Sequence, residues 1–572
     1  MAFLLHAIGS RFACDLTTSY WLAVCSAEGI CTTALSARLT HFAVSERPRA
    51  HVATALTRKE QETLPMTKPT NKERYDVVVV GAGNAGFSAA HAARETGASV
   101  LLLEKTALAE SGGNSFYTAG AFRVAFDSVD ELVPLLDEGT ITLLDTTVLP
   151  AYPESAFRLD IERLTENRCD PVLTRSLVSR SAETLRWLHE KGLKFRLMYE
   201  RQTFEVDGTW TFFGGLAVGS IDGGKGLMAQ HTEAAKGSGV EIRYESQLTG
   251  LQITAEGAVT GVTYVDASGQ PHHVEAGAVV LAAGGFEANP DMRKRYLGED
   301  WGRAIVRGTP SNTGEALEFA LKAGAEPWGD WSSCHSVAWD AGGPANGGDR
   351  TLTNQRTRQS YPLGIVVNID GNRFVDEGAD YRNYTYARYG REILTQPDGI
   401  AFQIFDAKTR PLLRTAEYDS APITGASANS VGDLAAALGI DQAGLTRTVS
   451  EFNAAIVDEP FNPAVKDGRA ALTPLPKSNW ALALDTPPFY GYSVSCGITF
   501  TFGGVHVNPR SEVLNANGGL VAGLFAAGEI VGGLFSGNYP GGSGLMAGAV
   551  FGRGAGVNAA ALALKRRSES QD

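Results

Sequence analysis

The stretch YDVVVVGAGNAG, residues 75–86, decides the fold of this chain. Tyr75 to Val80 is a continuous run of apolar, mostly β-branched residues, which is typical of a parallel strand that is buried on both faces. Asn84 to Glu95 then carries helix-forming residues, and Gly97 ends that pattern. Ser99 to Leu103 is a second apolar run. The order strand, helix, strand predicts a βαβ unit with two parallel strands.

The glycines of GAGNAG and an acidic residue after the second strand indicate a dinucleotide site. Gly81 permits a tight turn, Gly83 allows the backbone to approach a pyrophosphate, and Gly86 lets the helix pack closely on the strand. The N-terminus of that helix attracts the anion. Glu104 follows the second strand, 18 positions after Gly86, where its carboxylate can accept a hydrogen bond from a ribose hydroxyl. The expected cofactor contacts of this unit are Gly81, Gly83, Asn84, Ala85, Gly86, Glu104 and Lys105.

Three later motifs favour FAD over NAD as the dinucleotide. GLFAAGE at 523–529 ends in Gly528, which can approach the pyrophosphate, and Glu529, which can accept hydrogen bonds from ribityl hydroxyls. The glycine turn within 538–556 precedes a helix whose first amides would face the electron-rich N1/C2=O edge of reduced flavin. The small-residue loop SGGNSFYTAGAF at 111–122 suits close approach by a phosphate and a planar ring. The further expected FAD contacts are Gly112, Gly113, Asn114, Ser115, Thr118, Gly120, Ala283, Gly284, Gly528, Glu529, Ser543, Gly544 and Leu545.

Changes in residue pattern along the chain predict an α/β fold, in which a Rossmann-like FAD-binding domain is interrupted by an inserted α+β capping domain. Strand patterns at 241–244, 259–265 and 278–283 predict a mixed or parallel sheet with a β-ribbon. The segment 333–500 is irregular and contains many Gly, Asn, Arg and aromatic residues, which indicates the separate cap. The predicted divisions are an N-terminal extension at 1–70, the first FAD-binding part at 71–332, the cap at 333–500, the second FAD-binding part at 501–565 and a tail at 566–572.

Composition restricts the partners. The chain has 50 Lys and Arg against 63 Asp and Glu, and the resulting net charge of −13 argues against nucleic acid or an anionic membrane surface as the main partner. The cysteines of the body form no CxxC pair, so no metal site built from local motifs is expected. No apolar run approaches the roughly 18–20 residues that span a bilayer, so no transmembrane segment is expected. The expected partners are a small-molecule substrate and an electron acceptor that the sequence does not identify.

The first 65 residues are rich in Ala, Ser and Thr and poor in acidic residues, and they admit three interpretations. They are a mitochondrial presequence, a segment that precedes an effective start at Met66, or a disordered tail. The expected location is the cytoplasm, or the mitochondrion if residues 1–65 are a presequence.

Taken together, the motifs resemble the fumarate reductase/succinate dehydrogenase flavoprotein superfamily. The resemblance covers about residues 74–560 and rests on VVVVGAGNAG with Glu104, the GGNS loop, VVLAAGGF at 279–286, NRFVDE at 372–377 and GLFAAGE with the PGG turn. Within the superfamily, GGNSFYTAGAFR, CGITFTFGG and GNYPGGSGLMAGAVFGR are most similar to FAD-dependent tricarballylate dehydrogenase. Members with covalent FAD attach it through a His in the loop that corresponds to 111–122. No His occurs there in this chain, so the resemblance implies non-covalent, dissociable FAD.

The resemblance also implies that flavin N5 exchanges a hydride with the substrate while an Arg of the cap transfers a proton. Arg382 in NRFVDEGADYR is the candidate, and Glu377 and Asp380 would relay its proton and orient it. A surface salt-bridge cluster is the alternative interpretation. His335 stands where the family often has a substrate-contacting His, although a buried structural His has the same signature.

Two usual substrate ligands of the family are replaced in this chain. Phe500 stands at the place of the second His, and Tyr539 at the place of the carboxylate-clamping Arg. These replacements argue against plain fumarate or succinate as the substrate. Tyr539 also resembles the Tyr in the YPGG turn of 3-ketosteroid Δ1-dehydrogenases, whose hydroxyl would polarise a ketone. The expected catalytic residues are therefore Arg382, Glu377, Tyr539 and His335, and the expected substrate contacts are Arg123, Arg307, Arg356, Phe500 and Thr501.

The sequence thus predicts an FAD-dependent enzyme that dehydrogenates, or in reverse reduces, a C–C bond beside a carboxylate or carbonyl. A tricarballylate-like polycarboxylate is the favoured substrate, and a ketosteroid-like or other secondary-metabolite enone is the alternative. A hypothesis from another class is a catalytically silent flavin electron-transfer subunit, which the replacements at Phe500 and Tyr539 favour.

Overall fold

The computed structural model describes residues 73–419 and 422–569 of the chain. The three interpretations of residues 1–65 and the predicted extension at 1–70 lie outside this part, as does the end of the predicted tail, 570–572.

The helices and strands have the following bounds. The strands are β1 (Glu73–Val80), β2 (Val100–Leu103), β3 (Ala121–Phe122), β4 (Thr147–Val148), β5 (Phe195–Leu197), β6 (Thr203–Val206), β7 (Thr209–Phe212), β8 (Val218–Ser220), β9 (Glu241–Arg243), β10 (Gln247–Ile253), β11 (Val259–Val265), β12 (Pro271–Leu281), β13 (Ile305–Val306), β14 (Pro327–Asp340), β15 (Ile365–Val367), β16 (Ile400–Phe405), β17 (Gly425–Ala428), β18 (Phe489–Val505), β19 (Glu512–Leu514) and β20 (Leu520–Ala526). The α-helices are α1 (Asn84–Glu95), α2 (Gly113–Tyr117), α3 (Glu138–Ile141), α4 (Glu154–Leu164), α5 (Pro171–Glu190), α6 (Tyr199–Gln202), α7 (Gly223–Ser238), α8 (Pro290–Leu297), α9 (Glu315–Lys322), α10 (Arg382–Leu394), α11 (Thr415–Tyr418), α12 (Val431–Leu438), α13 (Gln442–Ala454) and α14 (Ser543–Glu569).

The main sheet has eight strands, in the order β10-β11-β12-β1-β2-β9, with β20 added beside β12 and β19 beside β20. Strand β1 is parallel to both β2 and β12, as the βαβ pattern predicts. Strand β12 starts in an antiparallel ribbon with β11 and ends between its parallel neighbours β1 and β20. The predicted Rossmann-like α/β fold with a β-ribbon is therefore confirmed.

Helix α14 lies across α1 at unusually close range. A Cβ atom at Gly552 would lie 2.4 Å from the backbone O of Ala85, and one at Gly556 would lie 2.1 Å from the O of Ala89. The predicted boundary between the second FAD-binding part and the tail, 565/566, falls inside this helix, which continues to Glu569 because its glycines serve helix packing and not termination. Within the part of the chain that the structure describes, α14 alone is long and apolar enough to cross a membrane, and 61% of its most apolar window is buried.

A second sheet, of six strands, carries the cap. Its two longest strands, β14 and β18, are antiparallel, and their register places His335 opposite Phe500. The predicted boundaries at 332/333 and 500/501 fall inside these two strands, so the chain enters and leaves the cap through one strand pair. Helices α12 and α13 cover β15 and β16 with Leu434 and Leu445, which form a second apolar core.

Candidate active site

A cavity opens at the carboxyl ends of β1, β2 and β12, the edge at which parallel sheets bind ligands. Its wall extends from Glu104, after β2, to Arg382, at the start of α10, so the cavity reaches from the FAD-binding domain into the cap. The predicted site residues that line it are Gly81, Gly83, Asn84, Ala85, Glu104, Lys105, Gly113, Asn114, Ser115, Thr118, Ala283, Gly284, Arg307, His335, Arg382, Phe500, Gly528, Glu529, Tyr539, Gly544 and Leu545. Four predicted cofactor residues, Gly86, Gly112, Gly120 and Ser543, lie outside this lining.

The backbone of GAGNAG fits a dinucleotide turn. A Cβ at Gly86 would lie 1.8 Å from the O of Gly81, so only glycine allows this helix to start so close to the strand. Gly81 has a φ of +103°, and a Cβ there would lie 2.4 Å from the O of Ala282. At Gly83, which lines the cavity, the nearest atom to a Cβ would be the Oγ of Ser115 at 3.5 Å, an ordinary contact distance, so this side of the turn is less crowded. The turn therefore has a packed side and a side that can receive a pyrophosphate.

Glu104 is held in place at the nucleotide end of the cavity. The backbone N–H of Ala82 donates to its Oε2 at 2.9 Å, and the N–H and hydroxyl of Thr106 donate to its Oε1 at 2.9 and 2.7 Å. Beside it, the Nζ of Lys105 donates to Glu315 at 3.3 Å. The carboxylate of Glu104 is oriented before any ligand binds, which suits the ribose hydroxyls of an adenosine moiety.

The N-terminus of α14 reaches the other end of the cavity. A Cβ at Gly544 would lie 3.7 Å from the ring of Phe500 and 3.9 Å from the ring of Tyr539, so the helix starts between these two rings. The Nδ2 of Asn84 donates to the O of Leu545 at 2.8 Å and ties the first turn of α14 to the start of α1. Two helix N-termini thus converge on one cavity, which suits an anionic cofactor whose ring becomes electron-rich on reduction.

Arg382 is the first residue of α10 and is only 6% exposed. It donates from Nη1 to the Oε1 of Gln359 at 3.1 Å, and from Nη2 to the O of Arg201 at 2.8 Å and the Oε1 of Gln202 at 3.1 Å. These acceptors are neutral, and its buried Nε has no partner among the residues described. Burial lowers the pKa of Arg382 well below its usual range, and the positive charges of Arg414 and Arg201 lower it further. This guanidinium is therefore a stronger acid than an ordinary one.

The predicted relay from Arg382 through Glu377 and Asp380 is corrected by the structure. Glu377 accepts from the Nε of Arg373 at 3.0 Å and is not part of the cavity wall. Asp380 pairs with Arg163 at 2.9 Å. Both carboxylates are thus bound to guanidiniums other than that of Arg382. The partner of Glu377 is Arg373, four positions earlier in the same motif.

A different carboxylate, that of Glu417, is connected to Arg382 through Gln359, which accepts from Arg382 with its Oε1 and donates to Glu417 with its backbone N–H. It accepts from the Nη1 of Arg201 at 3.2 Å and the Nη1 of Arg414 at 3.1 Å, and the backbone N–H of Gln359 donates to it at 2.9 Å. Burial raises the pKa of Glu417, but the charges of Arg414, Arg201 and Arg382 outweigh burial and lower it to about 2. Sequence reasoning missed this cluster because α6, α10 and α11 are far apart along the chain and no motif links them.

Arg307 is a second buried guanidinium in the cavity wall. Its Nη1 donates to the Oγ1 of Thr499 at 2.8 Å and its Nε to the Oδ1 of Asn354 at 3.1 Å. Its hydrogen-bond partners in residues 73–419 and 422–569, Thr499 and Asn354, are both neutral, and burial lowers its pKa below the usual range. A buried cation without an anionic partner is costly, so the site suits an anionic group of a ligand.

An aromatic wall with hydroxyl groups lies beside Arg307. The hydroxyls of Tyr386 and Tyr539 are 3.0 Å apart, and the hydroxyl of Tyr539 is 3.4 Å from the Nδ1 of His335. The ring of Phe500 is nearly parallel to that of Tyr539, with centroids 6.2 Å apart. Burial lowers the pKa of His335 and raises that of Tyr539, so both are neutral. Tyr386 had no signal in the sequence beyond the aromatic character of its segment.

Three residues that the sequence placed on the substrate lie outside the cavity wall. Arg123 is fully buried and donates from Nε to the O of Gly541 at 2.8 Å, which supports the glycine turn. Arg356 pairs with an acidic residue of its own loop at 3.3 Å. The backbone N–H of Thr501 donates to Glu529 at 2.8 Å, so this residue supports a cofactor contact. Their expected role in substrate binding is therefore corrected.

Three features of this cavity are those of a flavoprotein oxidoreductase. They are the dinucleotide turn, the two helix N-termini and the cap guanidinium of Arg382, whose pKa is lowered. The family model described as "FAD binding domain" matches residues 76–545, and the chain belongs to this family. It is a member of the fumarate reductase/succinate dehydrogenase flavoprotein superfamily.

Two relatives and one solved structure illustrate the likeness. The chain is 29% identical over 502 residues to a probable fumarate reductase of Shewanella frigidimarina, covering 86% of this chain and 76% of the relative. It is 28% identical over 534 residues to a urocanate reductase of Eggerthella lenta, covering 88% and 78%. The open conformation of a flavocytochrome c3 fumarate reductase superposes with a TM-score of 0.65 at 27% identity, covering 86% of this chain and 79% of that one. The protein is thus an FAD-dependent oxidoreductase that acts on C=C or CH–CH bonds.

Proposed function

We propose that this enzyme reduces the C=C bond of an α,β-unsaturated carboxylate, with Arg382 as proton donor and Arg307 as carboxylate ligand. The observation that carries this proposal is the pair of buried guanidiniums that line the flavin cavity without a carboxylate partner among the residues described. A substrate carboxylate would remove the cost of the unpaired charge at Arg307. The names of the relatives, fumarate reductase and urocanate reductase, support reduction as the direction.

The chemistry divides between the cofactor and two side chains. The bound flavin, once an external two-electron donor has reduced it, would supply the hydride for the β-carbon. Arg382 supplies the proton for the α-carbon, so one hydride and one proton convert the alkene to the saturated acid. An ordinary guanidinium, with a pKa above about 12, is a weak general acid, whereas burial and the charges of Arg414 and Arg201 make Arg382 a stronger one. Arg307 holds the carboxylate and stabilises the negative charge that develops on it.

The aromatic wall favours a single carboxylate. Next to Arg307 the cavity presents the rings of Phe500, Tyr539 and Tyr386, which suit an apolar or aromatic substituent. A tricarballylate-like polycarboxylate would place its additional carboxylates against these rings. The rings offer no cation to those carboxylates and can donate hydrogen bonds only from the hydroxyls of Tyr386 and Tyr539. The proposal therefore favours an acrylate with an apolar or aromatic group over a polycarboxylate.

A second candidate substrate is an enone. The adjacent hydroxyls of Tyr386 and Tyr539, 3.0 Å apart, could together donate to a carbonyl oxygen. In that case Arg307 would have no anion to bind, which makes the enone the weaker candidate.

Reoxidation of the reduced flavoprotein tests the proposal. Photoreduced enzyme is mixed anaerobically with a phenylacrylate, with the unsaturated counterpart of tricarballylate, and with a cyclic enone, while flavin absorbance is followed. The phenylacrylate should restore the oxidised spectrum fastest. Faster reoxidation by the tricarboxylate or by the enone would overturn the proposed substrate class. No reoxidation by any of the three would support the electron-transfer subunit instead.

A further inference from the structure

Two buried carboxyl groups share one amide donor at the edge of the cavity, because the Nδ2 of Asn312 donates to the Oε1 of Glu287 at 2.7 Å and to the Oε2 of Glu529 at 3.4 Å. Glu529 lines the cavity just after β20, and Glu287 follows β12 and is 0% exposed behind it. In the described part of the chain, the hydrogen-bond partners of the two carboxyl groups are neutral: Asn114, Asn312 and Thr501. A pair of carboxyl groups in such surroundings cannot carry two negative charges without a large cost.

The hydrogen bonds of Glu287 distinguish its two oxygens. Its Oε1 accepts from the Nδ2 of Asn114 at 2.5 Å and from the Nδ2 of Asn312 at 2.7 Å. The orientation of the Asn114 amide is fixed because its Oδ1 accepts from the N–H of Thr309 at 2.9 Å. The Oε2 of Glu287 is buried and has no partner among the described residues. Oε1 therefore behaves as a carbonyl oxygen, and a proton on Oε2 would make it a donor.

The surroundings of Glu529 complete the pair. Its Oε1 accepts from the N–H of Thr501 at 2.8 Å and from that residue's hydroxyl at 3.2 Å. Burial raises the pKa of Glu287 well above its usual range, and the charge and hydrogen bond of Glu529 raise it further. Burial also raises the pKa of Glu529 above its usual range, and its hydrogen bonds with Glu287 and Thr501 offset only part of that rise. Both oxygens of Glu529 accept hydrogen bonds, whereas the Oε2 of Glu287 accepts none among the described residues, so this Oε2 is the oxygen that is free to carry a proton.

Among the described residues, Arg293 and Cys334 are titratable groups that lie near Glu287. The guanidinium of Arg293 donates from Nη1 to the backbone O of Glu287 at 2.6 Å, so it binds the main chain and not the carboxyl group. Burial raises the pKa of the Cys334 thiol well above its usual range, so that group stays neutral.

We propose that Glu287 and Glu529 share one proton, carried on the Oε2 of Glu287, and that Glu287 is a positioning residue for FAD. The protonated Glu287 donates to Glu529 and leaves it as an ionised, oriented acceptor at the cavity wall. Such an acceptor suits the hydroxyl groups of a bound cofactor. This role concerns cofactor binding and does not depend on the proposed substrate.

Infrared spectroscopy reads the proton directly. At neutral pH the wild-type protein should show the carbonyl band of a buried carboxylic acid, which shifts in D₂O and is absent from Glu287→Gln. An unchanged carboxylic acid region in Glu287→Gln would overturn the proposal, because Glu287 would then be ionised.

Titration with FAD, followed by quenching of its fluorescence, tests the positioning role. In Glu287→Gln the amide oxygen can accept from both asparagines and the NH₂ can donate to Glu529, so the Kd for FAD should stay within about twofold of wild type. Glu287→Leu has similar volume but no donor, and its Kd should rise about tenfold or more. Equal loss of affinity in both variants would show that the carboxylate itself is needed and would overturn the proposal. Both measurements omit substrate, so their failure is distinct from failure of the proposed reaction.

Discussion

The cofactor end and the substrate end of the cavity are built in different ways. The cofactor end is built from short motifs whose residues are adjacent in sequence, such as the turn at 81–86. It binds through backbone amides, and its glycines allow close approach of backbone and ligand. The substrate end uses long charged side chains from segments far apart, such as Arg201, Arg382 and Glu417. A backbone turn tolerates little change, whereas a side chain can be replaced without loss of the turn. Substitutions can therefore change the substrate that is bound while the flavin site stays the same.

The attachment of the cofactor is the first way to test this comparison. Because no His occurs within 111–122, acid denaturation should release all of the FAD into the supernatant. Absorbance of the two fractions after centrifugation measures this. Flavin that stays with the precipitated protein would contradict non-covalent binding.

Substitution of a glycine at the cofactor end should have the next largest effect. In Gly86→Ala the Cβ would lie 1.8 Å from the O of Gly81, so the start of α1 must move and the purified protein should lose at least about nine-tenths of its FAD. Gly237→Ala is the matched control, because Gly237 is also helical but a Cβ there would meet no atom within 4 Å. The control should keep its FAD and gain roughly 0.5–1 kcal/mol of stability. Full FAD occupancy in Gly86→Ala would mean that the turn is not the binding site.

Removal of a charge at the substrate end should affect substrate and not flavin. Arg307→Leu should raise the KM for an unsaturated carboxylate about 10- to 100-fold, because a hydrogen bond to a charged group contributes about 1.5–3 kcal/mol. Its FAD content should equal that of wild type. Arg356→Leu is the control, since Arg356 lies outside the cavity wall and its loss should leave KM unchanged. Steady-state kinetics would decide, and a higher KM in Arg356→Leu alone would reverse the assignment.

A smaller effect is expected on pH dependence. Arg382 must be protonated to donate, so activity falls as the pH rises through its lowered pKa. The negative charge of Glu417 raises the pKa of Arg382, so Glu417→Gln should move the alkaline limb of the kcat profile to lower pH by about one unit. Glu377→Gln should leave that limb in place, because Glu377 is bound to Arg373 outside the cavity. A shift in the Glu377 variant alone would restore the relay that the sequence suggested.

The sequence predicted the cofactor end well because its signals are local. The run from Tyr75 to Val80 and the glycines after it specify strand, turn and helix within one short segment, and the structure has β1 and α1 there. The proton relay could not be predicted in this way. Glu377 is close to Arg382 in sequence, but Arg373 is closer to it in space, and the carboxylate that lies behind Arg382 belongs to Glu417. Sequence proximity does not predict which ion pairs form when long side chains can reach several buried charges.

Reduced-flavin reoxidation in Arg382→Ala tests the central claim most directly, that the cap guanidinium and the flavin serve one reaction in one cavity. In stopped-flow experiments under anaerobic conditions, the variant should be reoxidised by an unsaturated carboxylate about 10²- to 10⁴-fold more slowly than wild type. Its FAD content and its reoxidation by oxygen should be unchanged. Equal rates with the unsaturated carboxylate in both proteins would contradict the account.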